Sequence, residues 1–213
     1  MMTSTAMVFV IDDDASMRKS LARLLDTALY KTELFKSASE FLTRSVNPGP
    51  SCVIVDVRMP GLNGIDFQKA LIEHGRKEQL VFITGHGDIP MCAQAMKAGA
   101  IDFLPKPFKP KQLLESVERA LARSTEQLLR ASERNHARGL IERLTPREHE
   151  VMQLVATGML NKQVGAELGM AEKTVKTHRA HVMQKLGITS VAELMRVLQK
   201  AEVLPVARPG TKV

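Results

Sequence analysis

The segment MVFVIDDD at positions 7–14 decides the fold of the first half of the chain. Its first five residues form a continuous apolar run, which is typical of a strand buried in a parallel sheet, and three carboxylates follow at once. The runs Cys52–Asp56 and Leu80–Thr84 repeat this pattern, since each is apolar and ends on a polar side chain. Amphipathic helical segments such as Ser16–Leu29 separate the runs. The alternation predicts an α/β domain with a doubly wound, flavodoxin-like parallel sheet.

Five strands with helical crossovers are expected within a first domain at residues 6–123. They are placed at residues 7–11, 31–35, 52–56, 80–84 and 101–104. A helix over Lys111–Arg123 is expected to close this domain.

The second half of the chain is expected to be all-α. Residues 124–143 are charged and poor in apolar side chains, which predicts a solvated helical linker. The alternative is that the closing helix runs on into a short coiled coil, because Leu114, Leu121 and Leu128 recur every seven residues. Residues 144–204 predict four helices, with Asn161 capping the second one. A tight turn between the second and third helices matches helix-turn-helix spacing. The tail at 205–213 contains two prolines and a glycine and is expected to be disordered.

The charge is unevenly distributed along the chain. The formal net charge of +7 divides into +2 for residues 1–123 and +5 for residues 124–213, and the second part contains no Asp. A basic second half points to a polyanionic partner. Two cysteines are too few for a disulfide scaffold, and no apolar run approaches 18 residues. We therefore expect a cytoplasmic protein that has no membrane partner.

Polar side chains collect where the predicted strands end. Asp12, Asp13 and Asp14 follow the first strand, and Asp56, Thr84 and Lys106 stand at the ends of three others. Clustered carboxylates favour a hard cation, and Mg²⁺ is usual where phosphate chemistry follows. A carboxylate beside Mg²⁺ can attack a phosphoryl donor and form an acyl phosphate. The alternative, that the first three acids only cap a helix, leaves the other strand ends unexplained.

Four motifs in this half resemble the receiver domain of bacterial two-component response regulators. They are VIDDD at 10–14, VDVRMPG at 55–61, FITGHG at 82–87 and FLPKPF at 103–108. The resemblance implies that Asp56 accepts a phosphoryl group from a sensor histidine kinase, and that Mg²⁺ is held by Asp12, Asp13, Asp56 and the Arg58 carbonyl. It also implies that Lys106 pairs with the phosphoryl group, that the Lys106–Pro107 peptide is cis, and that Thr84 and Phe103 form a switch pair. Phe103 stands where the family often has Tyr, so signalling through a phenolic hydroxyl is absent.

Phosphorylation would then act through packing. It adds about −1.5 to −2 charges at one spot; Thr84 would move toward the phosphoryl group, and Phe103 would rotate into the space that it leaves. The face formed by residues 90–123 is expected to form a homodimer in response. The chain would be a phosphoacceptor and not an enzyme, with at most slow self-phosphorylation from small donors and slow autodephosphorylation.

A basic helix is predicted at Glu172–Leu186. Its apolar stripe of Val175, Val182 and Leu186 leaves Lys176, Thr177 and Ala180 facing outward, toward a DNA major groove. Thr174, Arg179 and Lys162 suit phosphates, and Lys173 and His178 complete the predicted DNA-binding set. Taken singly, each lysine is better explained as a solvated surface charge; the grouping on one helix after a tight turn is harder to explain in that way.

The second half resembles the LuxR-type output domain. The motifs are LTPRE at 144–148, NKQV at 161–164, AEL at 166–168 and KTVKTHR at 173–179. The whole chain resembles the NarL/FixJ class of response regulators, closest to FixJ through the segments Thr84–Pro90 and Ala95–Gly99. This implies a transcriptional regulator that binds double-stranded promoter DNA when phosphorylated. Ala171 departs from the class, which often has a Ser or Thr cap there; a missing cap costs about 1 kcal/mol.

Two other classes of function use the same fold or chemistry. A phosphohydrolase with an Asp nucleophile needs a second carboxylate two residues later, where this chain has Arg58. A flavodoxin-like electron carrier needs aromatic side chains to stack on the flavin, yet the chain has no Trp and a single Tyr, Tyr30.

Overall fold

Unbroken apolar runs in the central strands produce a parallel sheet that is covered on both faces. The computed structural model describes residues 6–85 and 89–204, and the chain divides into two units, Met1–Leu128 and Leu129–Val213. In the first unit the elements are β1 (Met7–Ile11), α1 (Ala15–Thr27), β2 (Lys31–Phe35), α2 (Ala38–Leu42), β3 (Ser51–Asp56), α3 (Gly64–Glu73), β4 (Gln79–Thr84), α4 (Ile89–Lys97) and β5 (Asp102–Pro105), followed by the start of α5 (Pro110–Ile141). The strand order is β2-β1-β3-β4-β5, and all pairs are parallel. The predicted five-stranded α/β fold is confirmed.

The sheet has one core on each face. On one face Val10, Ile54 and Ile83 pack with the buried side chains of α1 and α5, and on the other face Phe9 and Phe82 pack with those of α2, α3 and α4. Neighbouring residues of a strand point to opposite faces, so a strand buried on both sides must be apolar throughout. This explains the unbroken apolar runs of the sequence.

The closing helix does not end at Arg123, because α5 continues to Ile141. In the first unit the Ser51 N–H donates to the buried Ser124 hydroxyl at 3.0 Å, and Gln79 Nε2 donates to Gln127 Oε1 at 2.9 Å. In the second unit Ile141 is buried in the core. Residues 124–143 are therefore not simply a solvated linker, since parts of the helix belong to the two cores. Exposed charges dominate the composition of this segment and conceal those few buried positions.

The second unit contains a short helical domain. Its elements after α5 are α6 (Pro146–Ala156), α7 (Asn161–Leu168), α8 (Glu172–Leu186) and α9 (Val191–Ala201). Gly169 ends α7 in the left-handed conformation, with φ 64°, which L side chains rarely adopt. The cap assignment for Asn161 is wrong, because Leu160 occupies the N-cap position and its N–H donates to Gln163 Oε1 at 2.8 Å. Residues 205–213, predicted to be disordered, lie outside the described residues.

Candidate functional site: an acidic strand edge and a basic helix

Parallel pairing brings the predicted acidic residues to one edge of the sheet. Ile11 pairs with Val55, which sets Asp12 beside Asp56, and Asp56 pairs with Ile83. The Lys106 N–H donates to the Thr84 carbonyl at 2.6 Å, so the residue after β5 is held at the same edge. The Lys106–Pro107 peptide is cis, as expected.

Lys106 joins two buried carboxylates. Its Nζ donates to Asp12 Oδ2 at 3.0 Å and to Asp56 Oδ2 at 2.9 Å. Asp12 is completely buried and Asp56 is 8% exposed. Burial raises the pKa of Asp12, against the opposing effect of its hydrogen bonds with Lys106 and the Asp14 N–H. Burial also acts to lower the pKa of Lys106, but the hydrogen bonds to Asp56 and Asp12 outweigh it and raise that pKa overall.

The acidic residues fit a hard cation. One carboxylate oxygen from each of Asp12, Asp13 and Asp56 lies within 4.8 Å of the others. Three carboxylates present an all-oxygen donor set, which suits Mg²⁺ or Ca²⁺. The raised pKa of Asp12 also favours a cation here, because a buried negative charge is costly and a bound cation would reduce that cost.

The three consecutive acids do different things. Asp14 is the N-cap of α1, and its side chain accepts the Ser16 N–H at 2.7 Å. Asp12 accepts the Asp14 N–H through Oδ1 at 2.8 Å, and Asp13 is exposed. The helix-capping interpretation thus holds for Asp14 alone.

The remaining predicted residues of this edge are placed as follows. Thr84 is fully buried at the end of β4, and Phe103 is half-buried with its ring centroid 6.0 Å from that of Phe82. The Arg58 N–H donates to Asp56 Oδ1 at 3.3 Å, while the role of its carbonyl as a metal ligand stays a prediction. His86 and Gly87 of the FITGHG motif lie outside the described residues.

Gly64 is a residue of this site that sequence reasoning did not single out. Its N–H donates to the Val57 carbonyl at 3.0 Å. A Cβ atom there would lie 2.8 Å from the Asp56 carbonyl oxygen and 2.9 Å from Val57 Cα, so α3 can approach the end of β3 only with glycine. The sequence contains no signal for this approach beyond Asn63, which caps α3.

The helix-turn-helix places most of its predicted DNA-binding residues on the surface. Two of them, His178 and Arg179, are half-buried. The exposed ones are Lys162, Lys173, Thr174, Lys176, Thr177 and Ala180. Val175, Val182 and Leu186 are buried, as the predicted stripe requires. Arg179 donates to Asn161 Oδ1 at 3.1 Å, and His178 Nδ1 is buried without a hydrogen bond among the described residues. Ala171 occupies the N-cap of α8 and makes no side-chain bond, as expected.

Glu148 fixes α8 against α6. Its Oε2 accepts Lys185 Nζ at 2.6 Å and the Thr145 N–H at 2.8 Å, the second bond being part of a capping box at the start of α6. These bonds lower the pKa of Glu148 to about 2. The link to Lys185 could not be predicted, because the two residues are 37 positions apart.

Comparison with known proteins follows the same division of the chain. Residues 8–118 match the response regulator receiver domain family, and residues 142–198 match the bacterial regulatory proteins of the luxR family. The chain belongs to the bacterial response regulators. Its two domains are those of the NarL/FixJ class, as predicted.

Individual relatives of this response regulator span nearly its full length. Nodulation protein W of Bradyrhizobium diazoefficiens is 47% identical over 197 residues, which cover 92% of this chain and 86% of that protein. Transcriptional regulatory protein FixJ of Azorhizobium caulinodans is 38% identical and covers 93% of this chain and 94% of its own. The solved structure of the response regulator StyR has a TM-score of 0.83 and 44% identity, and the match covers 92% of this chain and 99% of that one.

The family membership assigns a class of function. The relatives are response regulators and transcriptional regulators, which decides against the phosphohydrolase and the electron carrier. A receiver joined to a luxR-type domain has a histidine kinase and DNA as its partners. None of the helices in the described part of the chain is long and apolar enough to span a bilayer.

Proposed function

We propose that this response regulator is switched on by phosphorylation of Asp56 and then binds promoter DNA as a dimer. The observation that supports this most is the position of Lys106, whose Nζ contacts Asp56 and Asp12 at the edge where three carboxylate oxygens converge. A nucleophilic carboxylate, a cation beside it and an acidic cluster for a metal ion form a set suited to phosphoryl transfer.

The residues of the acidic edge divide the chemistry among themselves. An Asp56 oxygen attacks the phosphorus of the kinase phosphohistidine, the P–N bond breaks, and the imidazole leaves with the bonding electron pair. Asp12, Asp13, Asp56 and the Arg58 carbonyl would hold Mg²⁺, which when bound neutralises charge on the phosphoryl oxygens. Lys106 donates to a phosphoryl oxygen once its bond to the Asp56 carboxylate is released. Hydrolysis of the acyl phosphate is slow, so the domain remains phosphorylated and does not turn over substrate as an enzyme does.

Phosphorylation would reach the dimer face through Thr84 and Phe103. Thr84 ends β4 and Phe103 lies in the neighbouring strand β5, where Thr84 pairs with Pro105. Movement of the hydroxyl toward the phosphoryl group changes the space open to the half-buried ring. The 90–123 face carries an exposed apolar side chain, Met96, which is 43% exposed and suits an interface between two receivers.

DNA recognition would fall to α8. Lys176, Thr177 and Ala180 are proposed to face the bases, and Lys162, Lys173, Thr174, His178 and Arg179 to serve the phosphates and the groove edge. Exposure supports most of these assignments, because a contact residue must be open to solvent before the DNA arrives. His178 is the weakest member of the set, since its Nδ1 is buried.

The test is selection from a random duplex DNA pool, with sequencing of the bound fraction. The full-length protein is used with and without Mg²⁺ and beryllofluoride, a phosphoryl mimic. We expect a symmetric or repeated half-site only with the mimic, together with a monomer-to-dimer shift in sedimentation. Asp56→Asn should abolish both responses, whereas Asp26→Asn, which removes an exposed carboxylate from α1, should keep them. A motif that appears equally without the mimic would refute gating by Asp56.

The proposed contacts of single side chains with DNA are tested separately, by measuring how DNA affinity depends on base sequence and on salt concentration. Lys176→Ala should relax base preference at one position and cost about 1–3 kcal/mol, whereas Lys162→Ala should reduce the slope of log K against log salt by about 1. Lys200→Ala on α9 removes an equal charge from a residue outside the proposed set and should change neither quantity.

A further inference from the structure

The β1–α1 loop is held by a side chain that the proposed phosphorylation mechanism does not use. Arg18, in the first turns of α1, donates through a single guanidinium nitrogen to the Asp12 carbonyl at 2.6 Å and to the Asp13 carbonyl at 3.0 Å. Arg18 is half-buried; its bond to the Asp12 carbonyl is partly buried, whereas its bond to the Asp13 carbonyl is exposed to solvent. Hydrogen bonds from a charged donor are about twice as strong as neutral ones.

These two bonds restrain the backbone that carries the Asp13 side chain. The Asp12 carbonyl belongs to the peptide plane before Asp13 Cα, and the Asp13 carbonyl belongs to the plane after it. Restraining both planes restrains φ and ψ of Asp13 and therefore the direction of its Cα–Cβ bond; the Asp14 N–H, bonded to Asp12 Oδ1, restrains the second plane as well.

Asp13 needs such support more than its two neighbours in the cluster. Asp12 is buried and has partners at both carboxylate oxygens, and Asp56 bonds to Lys106 and the Arg58 N–H. The Asp13 carboxylate is exposed and makes no hydrogen bond or ion pair among residues 6–85 and 89–204. Its oxygen nevertheless lies within 4.8 Å of the other two. The restrained backbone at Asp13 therefore limits how far this oxygen can move away from the other two.

We propose that Arg18 is a positioning residue for the metal site, which sets Mg²⁺ affinity by holding the Asp13 carboxylate toward Asp12 and Asp56. The inference rests on the proposed Mg²⁺ site. Arg18 brings a positive charge close to the site, which by itself would weaken cation binding. If Arg18 acts by holding Asp13, replacing it with a neutral side chain should weaken Mg²⁺ binding. If only its charge matters, the same replacement should strengthen Mg²⁺ binding, so the two explanations can be distinguished.

The first experiment measures Mg²⁺ binding to the full-length protein by isothermal titration calorimetry. Arg18→Gln should weaken binding about tenfold, at the lower end of the range for partners that orient a metal ligand. Equal or tighter binding by Arg18→Gln would overturn the proposal, since that is the result expected from charge alone. The control is Arg23→Gln, which removes the same charge from an exposed position of the same helix and should bind Mg²⁺ as the wild type does. If the wild type binds no Mg²⁺, the proposed metal site itself fails, which is a separate result.

A double-mutant cycle tests whether Arg18 acts through Asp13. In an Asp13→Asn background, Arg18→Gln should cause no further loss of Mg²⁺ affinity, because the carboxylate that it holds is gone. A full additional tenfold loss would show that Arg18 acts elsewhere. The unfolding midpoint in EDTA, followed through Tyr30, reports separately what the two hydrogen bonds of Arg18 contribute to stability.

A kinetic measurement keeps the proposal testable if that midpoint falls. Arg18→Lys keeps the charge and a donor on a shorter side chain, so it should raise the Mg²⁺ concentration for half-maximal phosphorylation by acetyl phosphate severalfold. The rate at saturating Mg²⁺ should be kept, because the bound ion then holds Asp13 itself. An unchanged half-maximal concentration in Arg18→Lys would overturn the proposal.

Discussion

Replacing Lys106 by Gln should destabilise the receiver in a way that Mg²⁺ reverses. Lys106 Nζ lies 3.0 Å from Asp12 Oδ2 and 2.9 Å from Asp56 Oδ2. At an effective dielectric constant of about 20, each ion pair is worth about 5.5 kcal/mol before the cost of desolvation. The measured cost of removing one partner from a buried ion pair is about 3–5 kcal/mol. The Lys106 side chain is 19% exposed, which allows water to solvate the stranded carboxylates in part. We therefore expect a loss of about 3 kcal/mol in EDTA, at the lower end of that range.

Mg²⁺ should restore most of this loss in the variant. The ammonium group and the metal ion both neutralise Asp12 and Asp56, so the wild type binds Mg²⁺ against competition from Lys106. Without Lys106 that competition is gone, and added Mg²⁺ should stabilise Lys106→Gln by more than it stabilises the wild type.

The assay is urea unfolding of the full-length protein in EDTA and in Mg²⁺. Tyr30 is the single Tyr of a chain without Trp and lies in the first unit, so its fluorescence follows the receiver alone. With an m-value of about 2 kcal/mol per M, the loss in EDTA corresponds to a midpoint lower by about 1.5 M urea. The control is Lys111→Gln, which removes a positive charge from a side chain that is 86% exposed and should shift the midpoint little. Equal midpoints for Lys106→Gln and the wild type in EDTA, or equal gains from Mg²⁺, would refute the reasoning.

Three further substitutions test the helix-turn-helix domain. Its unfolding is followed by far-ultraviolet circular dichroism, as the transition that Tyr30 fluorescence does not report. The pKa of Glu148 is lowered to about 2, so the stability that its ionised carboxylate gives the domain is present above its ordinary pKa and is lost as pH falls through about 2. Glu148→Gln should therefore flatten the dependence of domain stability on acid pH. An unchanged pH profile would contradict this role of Glu148. Gly165→Ala puts a Cβ 2.6 Å from the Met170 carbonyl oxygen and should cost about 1–3 kcal/mol and weaken DNA binding, whereas Gly139→Ala, with open space around it, should be neutral or stabilising. Ala171→Ser should supply the missing cap and stabilise the domain by about 1 kcal/mol in thermal unfolding; no gain would mean that the hydroxyl does not reach the helix N–H groups.

Much of the fold and of the acidic edge could be predicted because parallel strands are periodic and directional. Continuous apolar runs at β1, β3 and β4 identify strands that are buried on both faces, and the residue after each run must lie at one common edge. This logic predicts that Asp12, Asp56 and Lys106 meet, although they are 44 to 94 positions apart along the chain.

Long-range contacts between side chains could not be predicted in the same way. The sequence left open whether α5 continues to Ile141, because the few buried positions beyond Arg123, such as Ser124 and Ile141, lie among exposed charges. The close approach of Gly64 to the Asp56 carbonyl oxygen is a property of two packed segments and leaves no pattern in either one.

The sequence by itself determined which residue types stand at the strand ends and on the basic helix, because backbone periodicity turns linear order into faces and edges. Tertiary structure alone decided how those residues are held. The bonds from Arg18 to two carbonyls, from Lys185 to Glu148 and from Arg179 to Asn161 depend on distances between separate elements. A hydrogen bond is made or lost within a few tenths of an ångström, and only the packed core fixes positions that closely.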